Sequence, residues 1–234
     1  MGLAARAIGV IFSPRETYAD IAGRPAVAGA LILTIAITAI VVAAFLSTDI
    51  GRNASLDQQF SMLESLPFRM SDEQLQQVED QMEARAKYAP LYAMGGVLVG
   101  APAIAALAAG LAFMIFTVGM GGEASFKQLF AISAYSRVIA VVQVLFVTPL
   151  NYARHSMSSA TTLMVFFPML DTSGFFGRVL SWIDLFGIWW IVSLAIGLGV
   201  LYGRKTAPIA ATILALYVAF ALIVAAVLSA LSGA

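Results

Sequence analysis

Hydrophobic and polar residues are arranged along this chain in long blocks. The first apolar block, Val27–Leu46, has twenty residues and no charge. As a helix it is about 30 Å long, which matches the hydrocarbon core of a bilayer. Four similar blocks follow, so the pattern predicts an all-α, polytopic membrane helical bundle in residues 27–234. Its five transmembrane helices are expected at Val27–Leu46, Leu91–Val118, Ala131–Leu150, Leu185–Tyr202 and Ala207–Leu231.

The loops between these blocks also carry helix signals. Loop 47–90 is acidic and is predicted to be extramembrane and helical. A capping box at Ser71–Gln74 starts a polar helix in this loop. This helix is expected to lengthen the second span. That span exceeds the roughly 20 residues required, so it is expected to tilt, project, or kink at Pro102. A capping box at Ser125–Gln128 precedes the third span. The apolar run Thr161–Leu170 is too short to cross, and lies on the surface or re-enters the bilayer.

Residues 1–26 are predicted to form a cytoplasmic, amphipathic segment of short interfacial helices. Ser13, Pro14 and Glu16 fit a capping box with proline at the first helical position, and Gly23 ends that helix. Tyr18 lies in the same segment as a further interface candidate. Ahead of Ser13, one helical face is expected to be apolar, with Arg6 elsewhere; it comprises Leu3, Ala7, Ile8 and Ile11. These helices lie along the membrane surface or cover the ends of the bundle.

The distribution of charge predicts the orientation. The side that holds the N-terminus has six basic and three acidic residues, whereas the loops on the other side have six basic and ten acidic residues. Arg24, Arg204 and Lys205 lie close to the ends of their spans, where basic residues favour the cytoplasm. The N-terminus is therefore expected in the cytoplasm and the C-terminus on the opposite side.

A strip of polar residues follows the third span. Arg137 is its charged member, and arginine at a helix centre costs about 2.5–3.5 kcal/mol on insertion scales. The other candidates for this strip are Ser133, Tyr135, Ser136 and Gln143. The strip either joins neighbouring helices by hydrogen bonds or lines a substrate path.

Small residues recur at helical spacing in two spans. Gly96 and Gly100 form one face, and Ala195, Gly199 and Gly203 form another. Such faces let helix backbones approach closely in lipid. Both are predicted to be helix-packing faces.

The amino-acid composition excludes several kinds of functional site. The chain is 61% hydrophobic and 11% charged, with no cysteine and one histidine, so thiolate chemistry and histidine-rich metal sites are excluded. It has no basic patch for nucleic acid, and it lacks the His-Glu-x-x-His motif of metalloproteases, the Gly-x-Ser-x-Gly motif of serine hydrolases and the Gly-Lys-Ser/Thr motif of nucleotide-binding loops. No catalytic residue, cofactor or metal ligand is predicted.

Three segments of the chain carry a family resemblance. They are Ile11–Ile21 (IFSPRETYADI), Phe126–Val138 (FKQLFAISAYSRV) and the tail Asp184–Tyr217 with its glycine-rich hairpin. Together they resemble the Yip (Ypt-interacting protein) domain family, in a form typical of bacteria. Arg137 departs from the family pattern, in which proline often follows Ala-Tyr-Ser. For eukaryotic members the resemblance implies a non-enzymatic membrane scaffold. The packing faces, the amphipathic N-terminal segment and the absence of catalytic motifs favour a non-enzymatic scaffold or adaptor of this type, which binds other membrane proteins or organises lipid and is expected in a bacterial inner membrane.

Partners are expected to be membrane lipids and other membrane proteins or further copies of the chain. Eukaryotic members bind small Rab-type GTPases, so a small GTPase is expected only if the chain is eukaryotic. The alternative is a small transporter or channel component with a polar path along the third span.

Overall fold

A computed structural model of the protein describes residues 1–64, 71–158, 160–172 and 174–232. Its regular elements are helices. The α-helices are α1 (Leu3–Phe12), α2 (Pro14–Gly23), α3 (Ala28–Leu46), α4 (Asp49–Glu64), α5 (Asp72–Ala86), α6 (Ala89–Ala112), α7 (Phe126–Ser136), α8 (Val138–Arg154), α9 (Phe175–Trp182), α10 (Leu185–Leu201) and α11 (Thr206–Ser232). A π-helix, Phe113–Gly119, continues α6, and a 3₁₀ turn covers Leu163–Phe166.

The all-α membrane architecture is confirmed. Four helical stretches are long and apolar enough to cross a bilayer, namely Ala28–Leu46, Ala89–Gly119, Phe126–Arg154 and Thr206–Ala230. The fourth predicted span is an apolar helix, Leu185–Leu201, of 17 residues. At 1.5 Å per residue it is about 25 Å long, slightly less than a typical hydrocarbon core.

The structure differs from the sequence-based prediction in three local features. Loop 47–90 contains the additional helix α4. The polar helix α5 ends at Ala86, and a turn separates it from α6, so it does not lengthen the second span. The third span is interrupted at Arg137, where α7 ends and α8 begins after one residue.

Two of the three predicted capping boxes are present in the structure. Ser71 and Ser125 form complete capping boxes; the hydroxyls accept from the amides of Gln74 and Gln128, both at 3.3 Å. The capping box at Ser13 is wrong, because its side chain makes no cap hydrogen bond. Ser13 also ends α1, donating its amide to Gly9 O at 2.8 Å. Its ψ of 59° lies outside the extended region that an N-cap needs.

The helices distribute over two compact units. The first comprises Met1–Ala39, Gly96–Gln143 and Phe186–Leu216, and its core includes Tyr18 and Tyr135. The second comprises Ile40–Gly95, Val144–Leu185 and Tyr217–Ala234. Among the contacts of the second unit, Tyr217 Oη donates to Trp182 O at 2.6 Å, and the two residues Thr162 and Asp184 form an isolated β-bridge.

Candidate functional site

The two N-terminal helices form a polar contact within the first unit. Helix α1 packs on α2, and both contact α7. Gly9 makes the first of these contacts possible, because a Cβ atom there would lie 2.2 Å from Thr17 Oγ1. Thr17 in turn donates to Ser13 O at 2.9 Å. The chain thus reverses direction at Ser13, and the two helices on either side of it pack closely against each other.

Arg6 is buried at the centre of this contact, with 4% of its surface exposed. Its Nε donates to Asp20 Oδ2 at 2.7 Å and its Nη1 donates to Arg24 O at 3.0 Å. The guanidinium lies 5.7 Å from the centre of the Tyr135 ring. One cation thereby joins α1, the end of α2 and α7.

The face of α1 that turns inward is not the predicted apolar face. The buried residues of this helix are Arg6, Ala7 and Val10, whereas Leu3 and Ile8 are exposed. That the exposed apolar face lies on the membrane surface stays a prediction. Arg6 turns inward because its hydrogen-bond acceptors, the partly exposed carboxylate of Asp20 and a carbonyl at the end of α2, lie on the side of α1 that faces the fold. Satisfied in this way, a charged side chain can replace an apolar one at a buried position.

Tyr18 fixes α2 to α10. Its side chain is fully buried, and its hydroxyl lies 2.7 Å from Ser193 Oγ. Burial raises the pKa of Tyr18 well above its ordinary value, and the hydrogen bond between Tyr18 and Ser193 opposes that rise only in part. The ring fits because Gly197 has no side chain: a Cβ atom there would lie 2.4 Å from Ile132 Cγ2 and 3.1 Å from Tyr18 Cδ1.

The other two N-terminal candidates, Pro14 and Glu16, lie in the first turn of α2. Pro14 occupies the first turn of α2, as predicted, and Glu16 is exposed in the same turn. Across from α2, Gln128 Nε2 donates to Ala22 O at 3.1 Å. That bond satisfies a carbonyl in the last turn of α2, where intrahelical partners are missing.

The polar strip of the third span is partly a hydrogen-bonded cluster. Ser136 Oγ donates to Ser133 O at 2.8 Å and accepts from Trp190 Nε1 at 2.9 Å. Ser133, Tyr135 and Ser136 are at most 2% exposed. The two described cavities of the first unit open elsewhere, and these three residues line neither of them.

Arg137 and Gln143 differ from the rest of the strip. Both side chains are half-buried. The guanidinium of Arg137 lies 5.6 Å from the centre of the Trp190 ring, and its Nε is buried without a hydrogen-bond partner among the described residues. A cation over an indole face gains electrostatic attraction without an acidic partner.

The two glycine faces have different surroundings. A Cβ atom at Gly96 or Gly100 would meet no atom of the described residues within 4 Å. Ala195 is fully buried, and a Cβ atom at Gly199 would lie 3.0 Å from Arg204 O. Gly203 has φ of +62°, so it is required by the turn between α10 and α11. Packing of both faces against other helices stays a prediction.

Several residues of the site were not found from the sequence. They are Arg6, Asp20, Ser193, Gly197 and the indole of Trp190. Ser193 had a detectable signal, because it is a polar residue inside an otherwise apolar block. Gly197 had none, since glycine is abundant here and its role depends on Tyr18 and Ile132.

With the geometry established, comparison with known proteins identifies the family. A family model described as the Yip1 domain matches residues 8–228. The chain belongs to the Yip1-domain family. This Yip1-domain chain is 32% identical over 197 residues to the membrane protein YknW of Bacillus subtilis (strain 168), covering 81% of the chain and 75% of that protein. No solved structure matches the chain significantly.

Proposed function

We propose that this Yip1-domain protein is a non-enzymatic scaffold of a bacterial inner membrane that binds other membrane proteins or further copies of itself, and organises the lipid around them. The observation that carries the proposal is that buried polar groups form hydrogen bonds between helices of the same unit. Ser136, Tyr18 and Arg6 bond to other parts of the same unit and hold helices together. Side chains engaged in this way support a structural role.

The same observation favours the scaffold over a transport path along the third span. A path needs polar groups facing an opening that a solute can enter. Ser133, Tyr135 and Ser136 instead are almost fully buried in the packed core. The hydrogen bond from Trp190 to Ser136 joins two helices, and interhelical bonds of this kind contribute about 0.6–2 kcal/mol in membrane proteins.

The surface available to a partner is apolar and includes α6. Leu98, Val99 and Leu107 are each at least 60% exposed. Gly96 and Gly100 lie among them with open space above their Cα atoms. A partner helix could approach the α6 backbone closely there, because small residues at i and i+4 lie on one face.

The first test is to extract the full protein with its native bilayer in polymer nanodiscs and to identify what is retained by mass spectrometry. A stoichiometric membrane protein, or a second copy, is expected. Retention of a small solute without any protein, together with solute flux in proteoliposomes, would contradict the scaffold.

A second test places the partner on α6 by comparing crosslinking yields in membranes. Gly96→Leu is expected to reduce the yield at least several-fold, because it fills the open face. Gly95→Leu is the matched control, since Gly95 is also open but lies about 100° around the helix. Equal yields for the two variants and the wild type would exclude α6 as the contact.

A further inference from the structure

A cavity of about 740 Å³ lies in the first unit, between the start of α2, the end of α10 and the start of α11. Three cationic side chains line one part of it: Arg15, Arg204 and Lys205. All three are exposed. Among the described residues none of them has an ion-pair partner, and the lining residues include no carboxylate.

Apart from Thr206, the rest of the lining is apolar and follows two spans. Val192, Gly199 and Val200 lie along one face of α10, Gly203 lies in the turn that follows it, and Ala207 and Ala210 belong to α11. From Val192 to Val200 the helix rises about 12 Å, which is most of the depth of one leaflet. The cavity therefore combines a basic end with an apolar channel along the two spans.

We propose that this cavity binds one anionic glycerophospholipid, with its phosphate group among Arg15, Arg204 and Lys205 and an acyl chain along Val192, Val200 and Ala210. Arg15 Nη2 lies 3.5 Å from Thr206 Oγ1, so the Arg15 side chain reaches the first residue of α11. The first amides of a helix also favour a negative charge. The inference depends on the cavity and not on the scaffold function.

The charge pattern selects a lipid over a soluble anion. The basic end adjoins the two spans at the membrane boundary, and the predicted orientation places it at the cytoplasmic leaflet. Basic side chains near an anionic leaflet each contribute about 1 kcal/mol, equivalent to about 5-fold in affinity. A soluble phosphate would leave the apolar channel empty, whereas an acyl chain fills it.

Native mass spectrometry of the full protein with added phosphatidylglycerol or phosphatidylcholine tests the proposal. The wild type is expected to retain phosphatidylglycerol preferentially. The double variant Arg204→Gln/Lys205→Gln is expected to lose on the order of 30-fold in affinity for it. The charge-matched control is Arg24→Gln/Lys127→Gln, since both residues are exposed in the same unit and neither lines the cavity. It is expected to bind like the wild type.

A second variant tests the apolar channel without changing charge. Ala207→Trp fills the channel from an exposed position and is expected to weaken phosphatidylglycerol binding while the thermal unfolding temperature is preserved. Equal binding of both lipids, or equal loss in the control pair, would overturn the proposal. Glycerol 3-phosphate binding as tightly as the lipid would also overturn it, because the acyl chain would then contribute nothing.

Discussion

The hydroxyl of Tyr18 lies 2.7 Å from the hydroxyl of Ser193, and both side chains are buried. The two residues are 175 positions apart in the chain. Tyr18 belongs to a short helix outside the predicted spans, whereas Ser193 lies in the middle of α10. This bond therefore attaches the N-terminal helices to the spans of the first unit.

Replacing Tyr18 by phenylalanine is expected to loosen this attachment. The change keeps the ring against Gly197 but leaves the buried Ser193 hydroxyl without its partner, which costs about 1–3 kcal/mol. Hydrogen exchange of the α2 amides in detergent should accelerate accordingly. Ser193→Ala supplies the matched variant. The double variant should be no less stable than Tyr18→Phe alone, and simple additivity would show that the two hydroxyls do not interact.

Gly197→Ala is expected to destabilise the same contact for a steric reason. The new Cβ atom would lie 2.4 Å from Ile132 Cγ2, and overpacking of this kind costs about 1–3 kcal/mol. Thermal unfolding in detergent measures the change. Gly95→Ala is the control, because a Cβ atom at Gly95 meets open space. Ile132→Ala should partly rescue Gly197→Ala, and failure to do so would place the strain elsewhere.

Arg6→Met is expected to detach α1 from Asp20 and from α7. Hydrogen bonds that involve a charged group contribute about 1.5–3 kcal/mol, and less here because Asp20 is partly exposed. Limited proteolysis should cut between α1 and α2 faster than in the wild type. Arg24→Gln is the control, since only the backbone carbonyl of Arg24 accepts from Arg6. Equal cleavage rates in Arg6→Met and wild type would contradict the assigned role.

Arg137→Gln is expected to be tolerated. The Nε atom of Arg137 has no partner among the described residues, so removing the charge also removes a desolvation penalty. Membrane accumulation and the thermal unfolding temperature should stay close to the wild-type values. Trp190→Phe should be more harmful, because it removes the donor to Ser136 as well as the indole face. The reverse order would indicate that Arg137 has a function.

High pH is expected to weaken the attachment of α2. Burial raises the pKa of Tyr18 in the folded protein, while the unfolded chain keeps a value of about 10. A raised pKa contributes stability that is complete below the unfolded value and is lost as the pH rises above it. The difference in unfolding temperature between wild type and Tyr18→Phe should therefore shrink above about pH 10. A constant difference would contradict this account.

Much of the architecture followed from the sequence. The ends of α3 and α11 lie within one residue of the predicted spans, because an uncharged apolar block long enough to cross a bilayer has few alternatives to a helix. The capping boxes at Ser71 and Ser125 were also predictable, since they depend on residues three positions apart. Such local and composition-driven features do not require knowledge of distant parts of the chain.

The sequence by itself thus determined the class of protein, the approximate spans and the family. Tertiary structure alone decided which face of α1 turns inward, why Gly197 must be glycine, and that Ser193 meets Tyr18. These features depend on residues far apart in the chain, and periodicity contains no information about which distant groups meet. The buried position of Arg6 shows the reason most clearly, because an inward arginine is stable only where the fold brings Asp20 and a free carbonyl to it.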